Sequence, residues 1–235
     1  MLAIIIAGGK GVRLRPYTSL IPKPLVPVGS KFAVLEIIIM QLAKNGFKEI
    51  IIAANHMGSL LKSYFGNGQK FNIKINYSFE KEELGTIGPL KIQKNLPKNF
   101  LVMNSDLICD IDYSRIFKSH ENNNSLMTVV TKQKKFPIDF GVIETLDSKI
   151  FEFKEKPIIK RNVCIGINLF NKKILNYIPK NKKFSFDDLI NYLLDKKITI
   201  NSYTFTGYWL DLGRPEDYDE ANNNYKSLFK KLNIE

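Results

Sequence analysis

Residues 2–29, LAIIIAGGKGVRLRPYTSLIPKPLVPVG, start as a strand and finish as a loop suited to an anion. Leu2–Ile6 is an unbroken and largely β-branched apolar run, the pattern of a parallel strand buried on both faces. It stops at Ala7, and Gly8, Gly9 and Gly11 follow within four positions. Such glycines let a backbone take positive φ, come close to a ligand and aim free amides at a negative charge. Arg13, Arg15 and Lys23 add side-chain cations, while Pro16, Pro22, Pro24 and Pro27 stiffen the segment. Neither standard glycine motif fits. The phosphate loop G-x-x-x-x-G-K-[ST] fails because Lys10 precedes Gly11, and the dinucleotide fingerprint needs a helix that the prolines forbid.

Outward from this stretch, apolar and turn signals alternate as strand and helix. Residues 32–43 read as a buried helix stopped at Asn45-Gly46, and Glu49–Ala54 reads as a second buried strand parallel to the first. A short helix over 60–65 and a strand over 73–79 follow. Residues 100–103 form the next strand and run into Asn104-Ser105-Asp106, which puts an acid at the carboxyl end of a central strand, where open α/β sheets bind ligands. Asp106 is therefore the first choice of metal ligand. Asp110 and Asp112 read as a solvated loop residue and a helix cap, and His120 as an exposed member of a polar loop. With His56 it makes no catalytic pair. Strands over 126–131 and 163–170 enclose a hairpin turning at Asp147-Ser148. Ser185 and Asp188 cap a helix reaching 197, residues 198–205 form a strand, and Pro215 opens a helix followed by a basic one beyond Tyr225. The expectation is an α/β protein with a mostly parallel central sheet, forming one domain over 1–235.

With 44% hydrophobic residues the chain can bury a substantial core, and no apolar run approaches the length of a membrane helix. Cytoplasmic placement follows as an expectation, and Cys109 and Cys164 are too few for a disulfide framework. The net charge of +12 raises nucleic-acid binding as a rival. Its lysines are scattered, however, and no base-reading motif accompanies them, which leaves small polyanionic substrates as the better explanation.

The stretches GGKGVRLRPYT and PKPLVPVG resemble the signature of sugar-1-phosphate nucleotidylyltransferases, with Val12 where that family usually has Ser or Thr. The family's further motifs follow in order. Residues 84–90, LGTIGPL, resemble its base-binding segment, above all in the mannose-1-phosphate guanylyltransferase branch. Phe140-Gly141 and Glu155-Lys156-Pro157 resemble its sugar-binding pair, and GYWLDLG at 207–213 resembles its closing motif. Residues 163–170, VCIGINLF, match a strand written N-x-G-[IL]-[YF], with Cys164 and Asn168 as departures and Gly166 retained.

The resemblance implies a Rossmann-like three-layer sandwich with a small antiparallel lid. The implied reaction joins an NTP, preferentially GTP, to a sugar-1-phosphate and releases pyrophosphate. Arg13, Lys23 and Asp106 would be catalytic, and Ala7, Gly8, Gly9, Gly11, Gly85, Thr86 and Gly88 would bind the nucleotide along with Arg13 and Lys23. Gly141, Glu155, Lys156 and Cys164 would bind the sugar phosphate, and Asp106 and Asp211 would hold Mg²⁺. Neither nucleic acid nor membrane is an expected partner, and a homo-oligomer is. The alternatives are a uridylyl-, thymidylyl- or cytidylyltransferase, or a catalytically silent regulatory subunit.

Overall fold

The computed structural model describes every residue except Lys10, His56, Lys81 and Glu235, so the expectation for His56 lies outside the described residues. In order, the chain forms β1 (Leu2–Ile6), β2 (Pro27–Val28), β3 (Phe32–Ala33), α1 (Val34–Lys44), β4 (Glu49–Ala54), α2 (Gly58–Phe65), β5 (Lys74–Phe79), β6 (Asn99–Asn104) and β7 (Leu107–Cys109). It continues through α3 (Tyr113–Asn122), β8 (Met127–Pro137), β9 (Val142–Leu146), β10 (Lys149–Lys154), β11 (Ile158–Asn171), α4 (Phe186–Asp195), β12 (Asn201–Thr204), β13 (Trp209–Asp211), α5 (Pro215–Asn223) and α6 (Tyr225–Lys231).

Seven strands make the central sheet in the order β12-β8-β11-β6-β1-β4-β5. β1 sits between two parallel neighbours, with Ile4 opposite Ile51 of β4 and Val102 of β6. Burial on both sides explains its lack of polar residues: Ala3 and Ile5 join the core under α1, α2, α3, α5 and α6, while Leu2 and Ile4 join the core under α4. Helices on both faces give three layers. β11 alone runs against its neighbours, pairing antiparallel with β6 and β8.

Several boundaries differ from the sequence expectation, each for a non-local reason. Phe32 and Ala33 pair with Val28 and Pro27 before the helix begins at Val34. β8 and β11 run past the sheet as a two-stranded arm, Ile158 pairing with Pro137, and this arm carries the β9–β10 hairpin. Its turn uses the left-handed residues Asp147 (φ 47°) and Ser148 (φ 65°), as the sequence signalled.

His120 corrects the expectation of an exposed residue. α3 extends through it to Asn122, and the helical register aims its ring at β8, where it is 1% exposed and Nδ1 stands 2.8 Å from Thr128 Oγ1. Burial lowers its pKa below the usual histidine value. Asp112 does cap α3, accepting from the Ser114 and Arg115 amides.

Candidate active site

The glycine loop leaves β1 at its carboxyl end, where Ala7 N still donates to Ala53 O at 2.7 Å. Three short 3-10 turns, at Val12–Leu14, Tyr17–Ser19 and Lys23–Leu25, then fold the loop onto itself. Gly11 shows why glycine is needed: its φ is 61°, and a Cβ would stand 2.9 Å from Thr18 Cγ2, whose hydroxyl donates to Gly11 O at 2.7 Å. The Leu25 and Val26 amides donate to Pro22 O and Lys23 O. These bonds fold residues 11–26 onto themselves.

Its turns bring Lys23 to Asp106. Lys23 is 9% exposed and its ammonium is ion-paired to Asp106 Oδ2, whereas Asp106 Oδ1 is buried and accepts no hydrogen bond from the described residues. A strand from much later in the chain completes the cluster. β13 pairs with β7, setting Asp211 opposite Leu107, and Leu212 N donates to Asp106 O at 2.9 Å. Asp217 Oδ2 accepts from Asp211 N, and Asp211 Oδ1 accepts from Gly213 N at 2.9 Å. Gly213 is the packing point of the site: a Cβ there would overlap Lys23 Nζ and stand 2.8 Å from both Arg13 Nη2 and Asp211 Oδ1. Arg13, Lys23, Asp106 and Asp211 are therefore one cluster, arising from three separate segments.

A cavity of about 280 Å³ opens over this cluster, with Gly9, Gly11, Arg13, Lys23 and Asp106 in its walls. Thr86 and Asn104 also line it, and both continue into a second cavity of about 210 Å³ that includes Cys164. A Cβ on Gly9 would meet nothing within 4 Å among the described residues, and the nearest atoms to one on Gly8 would be those of the Asn55 side chain. Burial raises the Cys164 thiol above its ordinary range, which suits a wall residue better than a nucleophile.

The base segment has an additional structural rationale. Gly85 (φ 79°) would place a Cβ 2.8 Å from Phe184 O, and the Ile87 and Gly88 amides donate to that same carbonyl at 3.0 Å. Thr86 Oγ1 accepts from Phe186 N at 2.9 Å, so its hydroxyl tops α4 as well as lining both cavities. The sugar trio is placed differently. Gly141, Glu155 and Lys156 are exposed on the arm, Gly141 close to Phe153 and Glu155, and none of the three is among the wall residues of either cavity.

Sequence reasoning passed over Asn104, Ser105 and Gly213 as wall residues, and treated Asn168 only as a departure from a pattern. Strand alternation was the available signal, since Asn104 and Asn168 occupy positions that otherwise face a core.

Two carboxylates, one with an orphaned buried oxygen, make an oxygen donor set suited to a hard divalent ion that keeps waters and phosphate oxygens as its remaining ligands. Among the described residues no group of three or more His, Cys, Asp or Glu side chains could hold a metal, and no helix is long and apolar enough to cross a membrane.

Residues 2–227 match the nucleotidyl transferase family. Among curated relatives, the chain is 33% identical to a UTP–glucose-1-phosphate uridylyltransferase of Synechocystis, over 94% of this chain and 62% of the relative. It is 34% identical to a mannose-1-phosphate guanyltransferase of Yarrowia lipolytica, over 100% and 67%. It is also 34% identical to a D-glycero-alpha-D-manno-heptose 1-phosphate guanylyltransferase of Aneurinibacillus thermoaerophilus, over 94% and 96%. The chain thus spans about two thirds or less of the first curated relatives it matches, and nearly the whole of the third named here. Among solved structures, HddC from Yersinia pseudotuberculosis complexed with GMP-PN aligns with a TM-score of 0.75 at 25% identity, over 95% of this chain and 99% of that one.

Proposed function

This chain belongs to the nucleotidyl transferase family, and from that membership we propose that it moves a nucleoside monophosphate from GTP to a sugar-1-phosphate, releasing pyrophosphate. The observation that carries the proposal is the four-residue cluster of Arg13, Lys23, Asp106 and Asp211 beside the glycine loop. It offers cations and free amides to a triphosphate, and a carboxylate oxygen without a partner.

The chemistry needs no covalent enzyme intermediate. A phosphate oxygen of the sugar-1-phosphate attacks the α-phosphorus in line, and pyrophosphate departs from the opposite side. Two anions must meet, so the work of the protein is positioning and charge neutralisation. Gly8, Gly9 and Gly11 present backbone to the β- and γ-phosphates, and Arg13 and Lys23 face the charge that collects on the leaving pyrophosphate. Asp106 and Asp211 would hold Mg²⁺, which supplies further neutralisation of the phosphates when bound. Lys23 then exchanges its present carboxylate partner for phosphate oxygens. Ala7, Gly85, Thr86 and Gly88 frame the nucleotide, and Gly141, Glu155, Lys156 and Cys164 receive the sugar phosphate, those on the arm by moving toward the cavities.

Guanine is favoured by the LGTIGPL segment and by the guanylyltransferases among the relatives, with uracil, thymine and cytosine as rivals. The intact cluster argues against a silent regulatory subunit. A homo-oligomer in the cytoplasm is part of the same proposal. Pyrophosphate release measured for four NTPs against a panel of sugar-1-phosphates tests it. GTP should give the highest kcat/KM, and a tenfold advantage for UTP, dTTP or CTP would overturn the choice of base while leaving the reaction class.

A further inference from the structure

Asn168 is out of keeping with its surroundings. On β11 it faces the same side as Phe170, toward the core that holds Val102, Met127, Val129 and α4. In the ladder it stands between Val102 of β6 and Val129 of β8. It is 6% exposed, and its Oδ1 accepts no hydrogen bond from the described residues. Two residues beyond Val129 on the same face of β8, Thr131 also keeps a buried hydroxyl oxygen without a partner. Buried polar atoms without partners are rare and ask for an explanation, and here two occur on adjacent strands.

Between them the ladder opens. The β11–β8 pairing skips from Cys164 to Asn168, and Gly166 takes φ 76° inside that bulge. The opening is the 210 Å³ cavity, walled by Asn104, Thr86, Cys164 and Asn168 on its polar side and by Ile87 and Phe186 on its apolar side. It shares Thr86 and Asn104 with the phosphate cavity. Cys164, given above to the sugar phosphate, stands in its wall, so this space can receive the part of the sugar remote from a phosphate that faces Asp106. Where the resembling pattern has an aromatic ring, Asn168 leaves room and a hydrogen-bonding amide in place of apolar surface.

Resting on the transferase reading above, we propose that Asn168, with Thr131 behind it, selects a sugar-1-phosphate whose exocyclic arm is longer and more hydroxylated than that of a hexose, such as a heptose 1-phosphate. The extra CH(OH) unit fills the volume that a ring would have taken, and its hydroxyl donates to the orphaned oxygen. A site built around such a bond discriminates strongly against the analogue that lacks the group.

The test compares wild type with Asn168→Val and Asn168→Phe, using pyrophosphate release from GTP with a hexose 1-phosphate and with the heptose 1-phosphate of the same ring configuration. Thermal unfolding is measured without ligand. Wild type should favour the heptose by tenfold or more in kcat/KM, Asn168→Val should lose at least tenfold of that ratio, and Asn168→Phe should reverse it. Because the amide oxygen is unpaired, Asn168→Val should melt at or above the wild-type temperature. A wild-type preference for the hexose, an unchanged ratio in Asn168→Val, or a Tm lowered by more than about 5 °C, a shift of roughly 1 kcal/mol or more in a domain of this size, would each overturn the role given to Asn168. Absence of turnover by wild type with every NTP and both sugars would instead overturn the transferase reading beneath it.

Discussion

The glycine loop and the β8–β11 arm carry residues proposed for the two substrates, yet they are built in opposite ways. Within the loop the amides of Leu14, Arg15, Ser19, Leu25 and Val26 find carbonyl partners, and Lys23 is buried against Asp106. The arm is a ribbon ending in a hairpin whose strands pair only with each other. Leu146, Ile150, Phe151 and Phe153 along that hairpin are 59% to 69% exposed. An isolated two-stranded hairpin is marginal in water, whereas a loop clamped by three distant segments has little freedom left to lose. Under the proposed function, the contrast sets fixed electrostatics at the site given to the triphosphate and puts Glu155 and Lys156, given to the sugar phosphate, on the less anchored part of the molecule.

The comparison breaks most sharply at Asp106. Asp106→Asn should retain the circular-dichroism spectrum and lose ~10²- to 10³-fold in kcat at saturating Mg²⁺, as removal of a single charge-stabilising group does. Activity within threefold of wild type would remove Asp106 from the chemistry.

The two lysines should separate next. Lys23→Ala strands a buried carboxylate and should cost about 3 kcal/mol in denaturant unfolding. Lys156→Ala, exposed on the arm, should stay within about 0.5 kcal/mol while raising KM for the sugar phosphate. Calorimetry of Lys156→Ala with GTP and Mg²⁺ alone sharpens the division, since a tenfold loss of nucleotide affinity would place Lys156 with the loop.

Thr86 lies where the cavities join. Thr86→Val removes the acceptor for the Phe186 amide at the start of α4 and should lower stability by about 1 kcal/mol, read from the urea midpoint at unchanged slope. The smallest stability effect belongs to the arm: Phe153→Ala should change unfolding by less than about 0.5 kcal/mol. Hydrogen exchange should show β9 and β10 amides exchanging long before those of β1, and equal protection in both would erase the distinction between the regions.

What the sequence disclosed follows the same division. β1, the loop, Asp106 and the Ser185–Asp188 capping box were legible because glycine, proline and β-branched residues act locally, and the structure contains that box with both of its hydrogen bonds. The lengths of β8 and β11 were not legible, because Lys132, Lys134, Lys135 and Lys160 carry no apolar signal and pair only through one another's strands. His120 was misjudged because its polar neighbours Glu121 to Asn124 hid a helical register aimed at Thr128. Asp211 was placed by its motif, but its strand pairing with β7 depends on a partner about a hundred residues away. No local pattern encodes that pairing.

That pairing sets an order of events in a growing chain. The glycine loop leaves the ribosome first, and Asp211 follows about 200 residues later, roughly 10 to 40 s at ordinary synthesis rates. Behind it come Tyr218, whose hydroxyl donates to Pro27 O, Asn222, which accepts from Gly29 N, and Tyr225, whose ring covers Gly29 so closely that no side chain would fit there. The nascent protein therefore holds an anion loop and most of its sheet well before it can gather both aspartates. The cluster closes only when residues 209–225 fold back across residues 7–29, so its last members are supplied by a segment made about 200 positions after the loop they complete.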